Sequence, residues 1–158
     1  ILTMMVALLV LGASTAFANE NRNFRTHLTG SEEVADPPVE TLAQGQAVFQ
    51  LNKDGTELSY KLIVANIENV SMAHIHLAPA GVNGPVVAWL YPSEPPPELI
   101  EGRFSGVLAE GVITADDLVG PLAGATMEDL IDEIRAGNTY VNVHTSQYPA
   151  GEVRGQIH

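Results

Sequence analysis

The chain has no cysteine among its 158 residues, so disulfides, zinc–thiolate sites and thiol nucleophiles are excluded. Positive charge is scarce as well: 7 Lys and Arg stand against 19 Asp and Glu, a formal net charge of −12. Such a surface repels phosphate backbones and anionic headgroups, and no local Lys/Arg cluster offsets it, so we expect no nucleic-acid partner. At this length the chain holds about one ordinary domain.

Further absences narrow the chemistry. No G-x-S-x-G elbow presents a serine nucleophile. The segment Gly81-Val82-Asn83-Gly84-Pro85 has the glycines of a phosphate loop but lacks the Lys and the helix that must follow, so it reads as a turn between strands. The acids Asp116, Asp117, Asp129, Asp132 and Glu133 lie in or near helix starts, where negative charge is favourable without any function. No EF-hand spacing arranges them for calcium.

What is present begins with residues 1–18, ILTMMVALLVLGASTAFA, an uncharged apolar run that turns small and polar before Ala16-Phe17-Ala18. This is the hydrophobic region and A-x-A end of a secretory signal peptide. A permanent anchor needs about 17 apolar residues, and Gly12, Ser14 and Thr15 weaken the run too early for that. The expectation is a signal peptide over 1–18, cleavage after Ala18, and a domain over 19–158. It would be exported to the periplasm or beyond and keep no stable membrane anchor.

The rest alternates with the period of strands. Phe24, Thr26 and Leu28 alternate with polar neighbours, and the polar loop GSEEVADPPVET follows. Ala47, Phe49 and Leu51 lead into Asn52-Lys53-Asp54-Gly55, after which Leu58, Tyr60, Leu62 and Val64 resume the pattern, which predicts a β-hairpin. Further strands are expected at 71–77, 85–91, 102–112, 139–145 and 152–157, and YPSEPPP (91–97) as a rigid loop. Thr126 reads as the cap of a short amphipathic helix near 127–136, with Met127, Leu130, Ile131 and Ile134 on one face and Gly137 ending it. Thr114 caps one further helical turn. The fold class is mainly β, an antiparallel β-sandwich of seven to eight strands.

Candidate chemistry lies on two strands. In 71–77, Met72, His74 and His76 share one face and oppose Ala73, Ile75 and Leu77; in 140–145, Tyr140, Asn142 and His144 oppose Val141 and Val143. The histidines thus belong to a polar, solvent-facing side. Histidines two apart on a strand are about 7 Å apart at the backbone, and a neighbouring strand about 4.8 Å away can supply a third imidazole to one ion. Three imidazoles suit copper or zinc, and Met72 on the same face tilts the choice toward copper. Glu152 and Arg154 alternate on the last strand; Glu152 is expected beside His144 as its orienting partner, or the two together as a set that pairs with the neighbouring strands. His27 is a further candidate ligand. The bland account of the same pattern is a polar sheet face whose side chains are solvated or bonded to one another.

Taken together, LTGSEEV (28–34), LNKDGTELSYKLIVANIENV (51–70), AHIHLAPAGVNGPVV (73–87), LVGPL (118–122) and AGNTYVNVHTSQYPAGEVRGQI (136–157) resemble the CHRD domain family. That family is named after repeats in the extracellular protein chordin and is found widely in exported bacterial proteins. The resemblance covers 24–157 and implies a single-domain member. It names a domain more than an activity, and its matched histidines fall on His74, His76 and His144. A looser likeness is to Cu/Zn superoxide dismutase, from which the chain departs in lacking cysteine and the fuller histidine set.

The expected function is an exported binding or structural protein with a copper or zinc site, its partner a metal ion or an unidentified extracytoplasmic molecule. One alternative is copper-dependent superoxide chemistry, with Arg154 attracting the anion; a domain at −12 opposes that capture overall. Another is a cell-surface interaction module built on Trp89, Tyr91 and the Pro-rich loop.

Overall fold

The computed structural model describes residues 21–158. The expected signal peptide at 1–18 lies outside the described residues. Period-2 burial builds the first three strands. β1 (Asn23–Thr29) turns Phe24, Thr26 and Leu28 inward, and β2 (Gln44–Leu51) does the same with Gly45, Ala47, Phe49 and Leu51. The tight turn after β2 is held by the Asn52 side-chain oxygen, which accepts the backbone N–H of Thr56 at 2.9 Å, while Gly55 supplies φ +72°. β3 (Leu58–Leu77) then returns antiparallel to β2, from Leu51↔Leu58 through Gln44↔Ala65.

β3 replaces what the sequence suggests are two strands, one near 58–64 and one over 71–77. Asn66 and Asn69 sit at φ 56° and 54°, a left-handed conformation that a short polar side chain tolerates. The register against the neighbouring strand shifts at both places, so the chain bends while staying in the sheet. Its first half pairs with β2 and β5 (Ile100–Ile113), its second half with β4 (Val86–Tyr91) and β6 (Thr139–Thr145).

β7 (Val153–Gln156), shorter than the expected 152–157, pairs with β6 and meets β1 at Thr29↔Arg154. The order β2-β1-β7-β6-β3, with β3 returning to β2, closes five strands into a barrel, and β4 and β5 extend it from β3. The expected antiparallel, sandwich-like β fold is therefore present, with seven strands among the described residues in one sheet that closes on itself through the long bent strand.

The core is continuous. Phe24, Leu28, Phe49, Leu62, Ile75, Val141, Val143 and Val153 are buried in one cluster with the apolar face of α1 (Met127–Arg135). That helix follows its prediction: Thr126 accepts the Asp129 N–H and completes a capping box, and Met127, Leu130, Ile131 and Ile134 are buried. The further turn appears as a 3-10 turn over Ala115–Asp117, with its own capping box at Thr114. No described helix is long and apolar enough to cross a membrane.

Candidate metal centre

The second half of β3 and β6 pair Met72↔His144, His74↔Asn142 and His76↔Tyr140. Strand alternation sends Ala73, Ile75, Val141 and Val143 to the core. The opposite side carries His74, His76, Tyr140, Asn142 and His144. The sequence places this side in solvent; the structure buries it. His74, His76 and His144 are 3%, 8% and 5% exposed, and all seven β6 residues are buried.

Loops cause the burial. The segment after β3 folds back so that the Arg154 guanidinium donates to the carbonyls of Pro79 (3.3 Å) and Val82 (2.9 Å) and to the Asn83 side chain (3.2 Å). The segment after β1 brings Glu33 to Asn142, and Asn83 in turn donates to the Val34 carbonyl. These polar contacts bind the covering loops to the strand face, which period-2 alternation alone does not reveal.

The three imidazoles converge. One ligand nitrogen from each of His74, His76 and His144 lies within 4.8 Å of the others; two bonds of about 2.1 Å to one ion span at most about 4.2 Å, so a small shift of the rings brings all three onto a single ion. Their partners assign the tautomers. His76 Nδ1–H donates to the Gly84 carbonyl at 2.9 Å, and His144 Nδ1–H donates to the Pro149 carbonyl at 3.1 Å. Both rings therefore turn an unprotonated Nε2 toward the cluster, the arrangement in which a backbone carbonyl orients a metal-ligating imidazole. His74 Nδ1 lies 3.2 Å from His144 Nε2 and donates to it, which leaves His74 Nε2 without a partner, as is His76 Nε2.

Burial also fixes the charge state. Desolvation, helped by the neighbouring His144 and His76, pushes His74 down to about 3. Desolvation and the neighbouring His76 bring His144 to about 4. Desolvation lowers His76 as well, with Arg154 adding to the effect and the Gly84 hydrogen bond opposing it. All three rings are neutral at pH 7, so each keeps one nitrogen lone pair, that of His144 accepting the His74 N–H.

Aromatic groups wall the cluster. Trp89 meets His74 edge-on with centroids 4.2 Å apart, and Tyr140 stacks on His76 at 4.9 Å and 12°. The Arg154 guanidinium carbon lies 3.4 Å from the centroid of Tyr140, a cation–π contact. Gly84 ties the wall to the histidine cluster: its carbonyl holds His76, and its N–H donates to the Tyr140 hydroxyl at 3.1 Å. A side chain there would run into the Leu77 carbonyl.

Other expected site residues take different places. His27 is on the exposed side of β1 and is not part of the histidine group. Glu152 does not orient His144, whose Nδ1 is taken by Pro149; its carboxylate instead accepts the hydroxyls of Thr41 (2.6 Å) and Thr145 (2.7 Å). Arg154 is engaged by loop carbonyls and Tyr140 and is 2% exposed, closed to an incoming anion. Met72 is partly buried as the direct strand neighbour of His144. Trp89, expected at an interaction patch, turns its ring against His74, and Tyr91 packs against the core.

The sequence pattern missed the roles of Gly84, Glu33 and Trp89. Glu33 is pushed up to about 7 by burial, against the opposing pull of Arg154 and the Asn142 hydrogen bond. Its Oε1 and the Asn142 Oδ1 are both buried without partners. A proton on Glu33 gives one of these oxygens a donor. Only the alternation of Tyr140 with Asn142 and His144 pointed to a shared polar layer.

The elements AHIH, NVHT and GEVRGQ thus meet in one buried layer, and the CHRD domain model matches residues 24–157. The chain belongs to the CHRD domain family. Comparison with curated proteins and with solved structures returns no match. In this CHRD domain, the family match therefore spans both the barrel and the histidine cluster.

Proposed function

We propose that this CHRD domain binds a transition-metal ion, copper or zinc, through His74, His76 and His144, and serves as an exported binding or structural module. The observation that carries the reading is the convergence of three buried, neutral imidazoles, two of them fixed by backbone carbonyls with Nε2 turned inward. Ligand type, protonation state and orientation all match what a three-histidine site needs. Export is supported by the apolar 1–18 run and its A-x-A end.

The test is to load purified protein with Cu(II) or Zn(II), dialyse, and measure bound metal and thermal shift. One ion per chain is expected, with a stabilisation of about 2.7 kcal/mol at a free-ion level 100 times the Kd. A triple His74→Ala/His76→Ala/His144→Ala variant should lose both. Because three buried truncations can unfold the domain, the single variant His144→Gln is measured beside it with circular dichroism as the folding check. No retained metal in the parent protein, or equal retention in a folded variant, removes the reading.

A further inference from the structure

The donor group contains no carboxylate and no thiolate; among the described residues it is made of imidazole alone. It therefore supplies no negative charge to a bound cation. A fixed charge beside the cluster is itself positive: the Arg154 guanidinium covers Tyr140, and Tyr140 stacks on His76. The cost of holding an ion in a poorly solvated site rises with the square of its charge, so the penalty for a dication is about four times that for a monocation before any bond forms. A zinc ion on three histidines ordinarily keeps a fourth, open position for water or hydroxide. Here the three rings are 3–8% exposed, with Trp89 packed edge-on against His74.

A softer donor occupies the neighbouring strand position. Met72 is paired directly with His144 in the β3–β6 register, on the same side of β3 as His74 and His76. Direct cross-strand neighbours have Cβ atoms about 5 Å apart, within the span of a flexible thioether side chain. Thioether sulfur favours Cu(I) over the harder divalent ions.

Resting on the metal-binding reading above, we infer that the site selects the monovalent ion Cu(I), with Met72 as a fourth, sulfur donor to the three imidazoles. The preference follows from donor charge and softness together.

The test uses the purified protein under nitrogen with two probes. Cu(I), kept reduced with ascorbate, is titrated against a chromophoric Cu(I) chelator, and Zn(II) is titrated separately against a chromophoric zinc indicator. The expected result is one Cu(I) per chain, held at least a hundredfold more tightly than Zn(II). Met72→Leu, which preserves side-chain volume, should weaken Cu(I) at least tenfold and leave Zn(II) unchanged. Zn(II) held as tightly as Cu(I), or unchanged Cu(I) affinity in Met72→Leu, overturns this inference and leaves the three-histidine metal site standing. Retention of neither ion removes both.

Discussion

Acidifying the metal-free protein from pH 8 to pH 5 should expose two opposing buried titrations. His74 and His144 fall to about 3 and about 4 in the fold, against an ordinary value of 6.5. At pH 5 the unfolded chain has taken up both protons while the folded cluster has not, so stability drops. Each histidine lost to the unfolded state costs about RT ln(1 + 10^1.5), or about 2 kcal/mol, and the two together about 4 kcal/mol. His76 is lowered too and acts in the same direction. Glu33 works the other way. Its carboxyl rises from 4.5 to about 7, so the folded state gains a proton between those values and becomes relatively more stable as pH falls. The full shift is worth roughly 2.5 kcal/mol at pH 5; because the group is only partly enclosed, about 2 kcal/mol is the better figure. Urea unfolding should show a loss of about 2 kcal/mol in the parent protein and about 4 kcal/mol in Glu33→Gln, which keeps an amide to face Asn142 but cannot gain the proton. The surface carboxylates contribute equally to both proteins and cancel in the difference of about 2 kcal/mol between them. Identical pH dependence in the two would refute the neutral buried Glu33. A Glu33→Gln variant that loses no stability by pH 5 would refute the depressed histidines.

Three further outcomes follow from the same geometry. Gly84→Ala forces a side chain into the Leu77 carbonyl, so it should cost about 1–3 kcal/mol in urea unfolding and weaken metal retention by displacing His76, whereas Gly81→Ala, at φ +77° with open space around it, should leave retention intact. Thr126→Ala removes the α1 cap and should cost about 1 kcal/mol without changing metal binding, read by the same unfolding and dialysis measurements. Trp89 is the only tryptophan in the chain and touches His74, so added Cu(II) should quench its emission with saturation at one equivalent, and His74→Gln should abolish the saturable phase.

Local pattern made much of the barrel legible. The hairpin at Asn52–Gly55, the α1 cap and face, and the strands near 23–29 and 139–145 follow from spacing, turn residues and capping chemistry. The continuous β3 did not, because the alternation is legible only to Val64 and again from 71, and between them Asn66 and Asn69 are two left-handed residues that bend a strand without ending it. Alternation put His74, His76 and His144 on one face correctly, since the β3–β6 register brings that face together. It could not tell solvent from a covering loop. That depends on contacts such as Asn142 to Glu33, which is 109 residues away in the chain, and Arg154 to Val82, 72 residues away. The Glu152 expectation failed for a related reason: Pro149, in the intervening turn, had already taken His144 Nδ1.

Burial of a polar layer distinguishes two kinds of polar residue within it. Arg154, Gln156 and Glu152 direct their polar atoms to loop carbonyls and threonine hydroxyls, and each thereby ties a covering segment to the barrel. His74 and His76 differ, because each leaves a buried Nε2 lone pair with no donor. An unsatisfied buried group costs about 1–3 kcal/mol, and an apolar residue on the same strand position would avoid that cost. The fold therefore gains nothing in stability from these two nitrogens in the metal-free state. His74 and His76 are also the residues whose nitrogens converge with His144, beside a wall of Trp89 and Tyr140. Unmet acceptor capacity and convergent geometry coincide in the same rings, and an electrophile held among the three would satisfy both at once. That coincidence, rather than the presence of histidine alone, supports the proposed metal site over a merely structural role.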